Sequence, residues 1–299
     1  MVGTAIDFTL GSRRLLSVPR RLSTWAFSLD DVLAGALPQA PDCGRDGVRV
    51  LSAPTGRLGE VSARFPDFVA GGRQDYRRHY IDMAGGFEAY MARFSGKTRS
   101  TLRRKARKLA EEAGGYAVSE HRTPAEIEAF LAAALPLSAK TYQARLLGAG
   151  LPEGPEARRA MLAAAEADRM RAFLLHAGGS AVAYLALPVT GETLVYAHLG
   201  YDPAYARLSP GTVLQMDALE RLFAEQRYRW FDFTEGEGPH KAMFGTHSAA
   251  CSTLVLLEPT LANRTLLGAR AGFDASVAQA KSLAQRSGAL GRLRALLRA

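Results

Sequence analysis

The sequence predicts an α+β protein built on a mixed, mostly antiparallel sheet with helices on both faces, and three observations lead there. Residues 171–257 break into short apolar runs separated by glycine turns, in the order β-β-β-α-β-α-β. The stretch before them, from about 86 to 167, carries helical spacing with start and stop signals. With 299 residues and 47% hydrophobic content, the chain can bury a full core.

Taken in order, the first 75 residues read as short strands and loops around one helix near 28–36, punctuated by Gly, Pro and Asp. YRRHYIDM (76–83) alternates and predicts a strand. A short helix near 86–94 and a longer one near 97–113 follow, the second with Leu102, Ala106 and Leu109 at i, i+4 and i+7. Gly114-Gly115 ends it. YAVSEH (116–121) predicts a strand, and a helix then starts with Thr123 as cap and Pro124 at the first position. Pro136 is expected to bend or end that helix, and another is expected at 155–167.

In the sheet region the strands are RAFLLH, AVAYLALPV, TLVYAHLGY, RWFDF and STLVLLE. The helix after the third has a stripe of Val213, Met216, Leu219, Leu222 and Phe223, so it packs on the sheet. A second, short helix follows Pro239. The tail from about 260 reads as an Ala/Leu/Arg-rich helix broken by Gly288 and Gly291.

The net charge of +9 points to an anionic partner: nucleic acid, a phosphorylated cofactor or a phospholipid surface. The charge is concentrated. Residues 93–108 hold eight basic residues and no acid, and 264–299 hold seven against Asp274, so the remainder is net acidic. Cys43 and Cys251 stand alone, without zinc-ligand spacing, so no metal and no disulfide framework is expected. A reducing cytoplasm fits, with peripheral contact at the inner membrane face as a further expectation. No apolar run approaches the roughly 20 residues of a membrane span.

GYDPAYARLSPGTVL (200–214) leads from a strand into a helix. A hydroxyl at the cap, Pro210 at the first helical position and Gly211 beside it expose backbone N–H groups at a positive helix end, which suits a phosphate. Arg207 adds a planar fork suited to a diphosphate, and Gly211 keeps bulk away from a close ligand. Arg207, Leu208, Ser209, Gly211 and Thr212 are therefore the candidate donor-binding residues. A plain, well-capped connection gives the same pattern, so the pattern alone leaves both open.

Three stretches in this order, FSGKTRSTLRRKARKL (94–109), GYDPAYARLSPGTVL (200–214) and FDFTEGEGPHKAMFG (231–245), make residues 76–257 resemble the GNAT acyltransferases. The branch they look most like includes the CelD/BcsL-type and FemX-like enzymes. The resemblance implies acyl transfer from acyl-CoA or acetyl-CoA to an amine, with the 200–214 loop on the pyrophosphate. It implies four segments: 1–75 and 76–168 as two parts of a first degenerate GNAT-like half, 169–260 as the acyl-donor-binding core, and 261–299 as a basic tail. The loop is poorer in glycine than is usual in the family, which leaves open aminoacyl-tRNA, the donor of the FemX-like relatives.

An amine attacks only when neutral, so the site needs a base, and attack creates an oxyanion that a backbone N–H on a splayed strand can hold. Alternation along 192–201 puts Leu194, Tyr196 and His198 on one face and Val195, Ala197 and Leu199 on the other. Tyr184, Tyr196, His198, Trp230 and Asp232 are then expected to line an acceptor pocket. His198 titrates in the useful range, although a hydrogen-bonded core histidine is the competing reading. DFTEGEGPHK places Asp232, Glu235, Glu237, His240 and Lys241 at a strand end and the following loop, where sites collect, although loops are polar in any case. Asp232 and Glu235 are candidates to accept a proton or hold an ammonium, Lys241 to meet an anion, and Tyr201 or Tyr205 to protonate the leaving thiolate. Arg103 and Arg104 on the basic helix reach an anionic acceptor or tRNA, or form a solvated face. The expected reaction is direct attack in a ternary complex on behalf of an amino sugar, a cell-envelope precursor or a long-chain-base amine. The alternatives are FemX-like amino-acid transfer and a non-catalytic adaptor for anionic surfaces.

Overall fold

The computed structural model describes residues 4–10, 13–141 and 150–286. It divides into two compact units: Met1–Arg78 with Glu235–Glu237 and Ser248–Ala299, and His79–Thr234 with Gly238–His247. The tail thus belongs with the N-terminal residues, whereas the sequence order set it apart as a fourth segment.

The first unit holds a hairpin, β1 (Thr4–Leu10) with β2 (Arg13–Arg20), and a sheet of β3 (Leu22–Ala26), β4 (Gly47–Pro54) and β12 (His247–Leu257). The strand β5 (Val69–Asp82) lies beside β12. The helix α1 (Leu29–Ala34) has a capping box, Ser28 with Asp31. The helix α2 (Leu58–Ala63) was not legible in the sequence. One core gathers Trp25, Val48, Val50, Phe65 and Leu256, with buried Cys251 among them. A second joins Ile6, Phe8 and Val255 to Leu267 of the tail helix α9 (Leu261–Arg286). Phe273 meets Phe8 edge-on at 5.5 Å, and the Arg270 guanidinium donates to the Asp7 carbonyl. The tail helix therefore packs on β1, and the expected breaks at Gly288 and Gly291 lie outside the described residues.

The second unit centres on β7 (Met170–Ala177) and β8 (Ser180–Thr190), flanked by β6 (Tyr116–His121) and, across β9 (Thr193–Val195), by β11 (Trp230–Asp232). Pairing is antiparallel except between β9 and β11. Both faces are covered, because β7 and β8 are apolar at nearly every position and alternate between two cores. Phe173, Leu175, Leu185 and Leu187 face α3 (Gly86–Ala92), α4 (Gly96–Ala113), α7 (Pro210–Ala224) and α8 (Pro239–Phe244). Ala172, Leu174, Tyr184 and Ala186 face α5 (Pro124–Lys140) and α6 (Pro155–Glu166). Pro136 does not end α5, whose Ile127, Phe130, Leu131, Ala134 and Leu137 are buried on the sheet. Burying such side chains is worth about 1.5–3 kcal/mol each, which outweighs the roughly 3 kcal/mol of an interior proline.

Candidate active site

The strand expected at 192–201 is interrupted. Tyr196 N–H donates to the Asp232 carbonyl at 2.8 Å, the last rung toward β11, and Ala197 N–H turns back on the Val195 carbonyl at 2.8 Å. Beyond this bulge β10 (His198–Tyr201) pairs only with β8. β11 ends at Asp232, so among the described residues no strand pairs with the other edge of β10. Asp202 N–H donates to Val182 at 2.9 Å, so His198 and Gly200, of the same parity, also face β8, and the N–H groups of Leu199 and Tyr201 point into the opening.

The bulge also changes which side chains share a face. Leu194, Tyr196 and Leu199 all pack on the core beneath α7, and His198 turns to the other face with Gly200. A Cβ on Gly200 would sit 2.5 Å from the Tyr184 ring, whose hydroxyl donates to Ser138 Oγ at 3.1 Å in the core beneath α5. Tyr184 and His198 are therefore separated from Tyr196, and the expected single pocket face does not form. Trp230 is elsewhere as well, edge-on to Tyr80 at 5.3 Å with the Arg229 guanidinium 4.8 Å over its ring.

The donor loop differs from expectation in its detail. Residues Pro203–Leu208 form a 3-10 turn started by Asp202, and Ser209 is left-handed at φ 55 with no side-chain cap. Ser209 N–H returns to Ala206 at 3.1 Å, and Thr212 and Val213 N–H both return to Ser209 at 3.0 and 3.2 Å. The expected fan of amides is thus mostly spent on local turns. Gly211 N–H, on the second residue of the helix, has no carbonyl of that helix to meet. A Cβ on Gly211 would lie 3.0 Å from Leu199 Cδ2 and 3.3 Å from Tyr201 Cδ1, so this glycine lets α7 close on β10. Leu208 is a buried core side chain. Arg207 is exposed and pairs with Glu112 of α4 through Nη1. Thr212 and Arg103 line one cavity of about 300 Å³ with Phe87, Met91, Tyr116 and Met216.

Asp232 is buried, and its Oδ1 accepts from Thr234 N–H at 2.9 Å, closing the turn that ends β11. Glu235 belongs to the first unit, where it accepts from Ser52 Oγ at 3.2 Å. Tyr201 is exposed beside Gly211, and Lys241 is half-buried on α8. Of the basic run, Arg93 donates to the last carbonyls of α8 and Arg99 to those ending α3, so both are helix caps. Arg104 is exposed.

His240, which the sequence placed among the polar residues of the loop after β11, meets a residue the sequence did not single out, Gln215 of α7. His240 Nε2 lies 2.7 Å from Gln215 Oε1, and the imidazole packs against Tyr196, Phe233 and Phe244 with ring centroids 6.3, 6.2 and 4.7 Å away. Gln215 is fully buried, and its Nε2 has no partner. Burial first, then the charges of Lys105 and Lys241, pushes the His240 pKa down. Burial alone lowers that of His198 and raises that of Tyr196. A signal existed: Gln215 stands at i, i+4, i+7 with Leu219 and Leu222, a polar residue at a core position.

Among the described residues the mixed sheet thus has one strand, β10, with an unpaired edge beside the loop that leads into α7. Residues 96–242 match the family model described as acetyltransferase (GNAT) domain. The matched stretch, just under half of the chain, is similar to a GNAT acetyltransferase domain. The C-terminal domain of a putative lysylphosphatidylglycerol synthetase from Agrobacterium fabrum is similar in fold, with TM-score 0.50 at 13% identity over 76% of this chain and 72% of that one. FemX gives 0.47 at 10% over 70% and 71%, and a GCN5-related N-acetyltransferase from Kribbella flavida gives 0.40 at 14% over 73% and 71%. No curated protein matches the sequence. Among the described residues no group of three His, Cys, Asp or Glu is placed to hold a metal, and no helix is long and apolar enough to cross a membrane.

Proposed function

We propose that the GNAT-like domain moves an acyl group from a coenzyme A thioester to an amine by direct attack. The observation that carries this reading is the open edge of β10, where the N–H groups of Leu199 and Tyr201 face the gap left by β11. A carbonyl oxygen seated there gains two fixed donors as it becomes an oxyanion, and one such donor is worth about 2.7–4 kcal/mol in a dry site. The pyrophosphate would lie at the N-terminus of α7 against Gly211 N–H and the Arg207 guanidinium. The amine nitrogen attacks the acyl carbon, the carbon–sulfur bond breaks, and the thiolate takes a proton. Both cysteines belong to the first unit, and Cys251 is fully buried, which favours a ternary complex over a cysteine-linked intermediate.

The acceptor is an amino sugar, a cell-envelope precursor or a lipid amine, met in the cytoplasm or at the inner membrane face. Aminoacyl transfer from tRNA is the second reading. It is favoured by Lys97, Arg103, Arg104, Lys105 and Arg107 on α4, which form no ion pair among the described residues. A thermal-shift panel with coenzyme A, acetyl-CoA and palmitoyl-CoA tests the first reading, since a ligand at 100 times its Kd adds about 2.7 kcal/mol. Stabilisation by the thioesters supports it. Stabilisation only by aminoacyl-tRNA, lost steeply with salt, replaces it with the second.

A further inference from the structure

The Gln215–His240 pair is costly as it stands. A fully buried amide N–H₂ without a partner is a desolvation penalty that a leucine of similar size would remove. What the amide does provide is an acceptor, Oε1, 2.7 Å from His240 Nε2. With a carbonyl oxygen facing it, Nε2 must carry the proton, and Nδ1 is left as the lone-pair nitrogen.

The ring's place is fixed from four sides. His240 is the second residue of α8, and its ring packs on Tyr196, the residue whose N–H makes the last rung to β11. Phe233 and Phe244 close the remaining faces, and His240 is half-buried rather than sealed. The charged groups that act on it are Lys105 from α4 and Lys241 from its own helix, both cationic, and both oppose a proton on the ring. His198, the other histidine near the opening, turns to the opposite face of β10.

We propose that His240 is the base that removes the ammonium proton of the acceptor, and that Gln215 is the positioning residue that holds the proton on Nε2 and so presents Nδ1. The inference rests on the transfer reading above. The balance is simple: Nδ1 takes one proton from R–NH₃⁺, the freed lone pair forms the amide bond, and the acyl–sulfur or acyl–oxygen bond breaks. The second nitrogen proton goes to the leaving group, and His240 returns its own to solvent.

The test is the pH profile of transfer by the full chain in wild type, His240→Asn, Gln215→Leu and Gln215→Glu. Loss of a general base is expected to lower kcat by about 10²–10⁴-fold, with the donor KM unchanged, and to erase the acid limb. Gln215→Leu should lower kcat at constant donor KM. A carboxylate in place of the amide favours the imidazolium, so Gln215→Glu should move the acid limb up by about one pH unit or more. A purely structural pair would move none of these limbs. The proposal is overturned if His240→Asn keeps its acid limb and a kcat within about threefold of wild type, or if Gln215→Glu leaves the limb in place. If wild type transfers from neither acyl-CoA nor aminoacyl-tRNA, the transfer reading fails on its own account. The pair is then judged by ¹⁵N NMR of the His240 ring, where a ring neutral at pH 7 with its proton on Nε2 supports the arrangement and a proton on Nδ1 overturns it.

Discussion

Two buried polar sites, one around Ser52 in the first unit and one at Gln215 in the second, are finished in opposite ways. In the first unit Ser52 Oγ and Tyr76 Oη are 2.6 Å apart, Ser52 also donates to Glu235, and Ser252 Oγ bonds both Thr55 Oγ1 at 3.0 Å and Asp75 at 2.6 Å. Every one of these hydroxyls is satisfied, and Ser52 accepts a left-handed φ of 59 to make its contacts. In the second unit Gln215 Nε2 is left bare beside a histidine with an acceptor nitrogen to spare. A closed network contributes stability, whereas an unsatisfied one costs stability and leaves capacity for a ligand.

The harshest way to break the contrast is to remove the open strand edge itself. Gly200→Val would drive side-chain atoms into the Tyr184 ring, where a Cβ already falls at 2.5 Å. Overpacking of this kind is expected to cost about 3 kcal/mol, read as a fall in Tm of roughly 5–10 °C together with loss of transfer. An unchanged Tm would mean that β10 is free to move and that its amide edge is not fixed.

A paired comparison sharpens it. Ser52→Ala removes the hydroxyl that Tyr76 and Glu235 share and should lower stability by about 1–3 kcal/mol, with kcat within twofold of wild type. Gln215→Leu should do the reverse: stability within about 1 kcal/mol of wild type or above it, and lower activity. Denaturant titration beside steady-state kinetics reads both, and equal behaviour of the two variants would dissolve the distinction.

The smallest effect is electrostatic. His121, His198 and His240 all have pKa values lowered chiefly by burial from the usual 6.5. Each is neutral when folded while its unfolded counterpart gains a proton, so stability is full above pH 6.5 and is lost as pH falls from there toward the folded values. Tm should therefore decline on acidification through that window, and less steeply in His240→Asn. A Tm flat from pH 7 to pH 5 would remove burial as the cause.

Much of the second unit was legible, because its signals are local. The strand Tyr116–His121 has the predicted bounds, and the cap Thr123 with Pro124 opens α5 where expected. The site was legible only in outline. The residues 200–214 and 231–245 do bracket the opening, yet the assignment of His198, Tyr184 and Tyr196 to one face failed. A bulge leaves no mark on alternation in the sequence when the residues on both sides of it are mostly apolar or aromatic, as in LVYAHL. Gln215 was visible as a polar residue in an apolar stripe, but its partner comes from 25 residues away.

By itself the sequence determined most of the order of strands and helices from residue 76 onward, the loop that leads into α7 and the concentration of charge on α4, since periodicity, caps and composition act within a few residues. Only the tertiary structure decided which amides face the opening, that Gly211 serves packing against β10, and that His240 meets Gln215. Those outcomes depend on pairing register and on contacts between distant segments, where a shift of one residue turns every side chain to the other face.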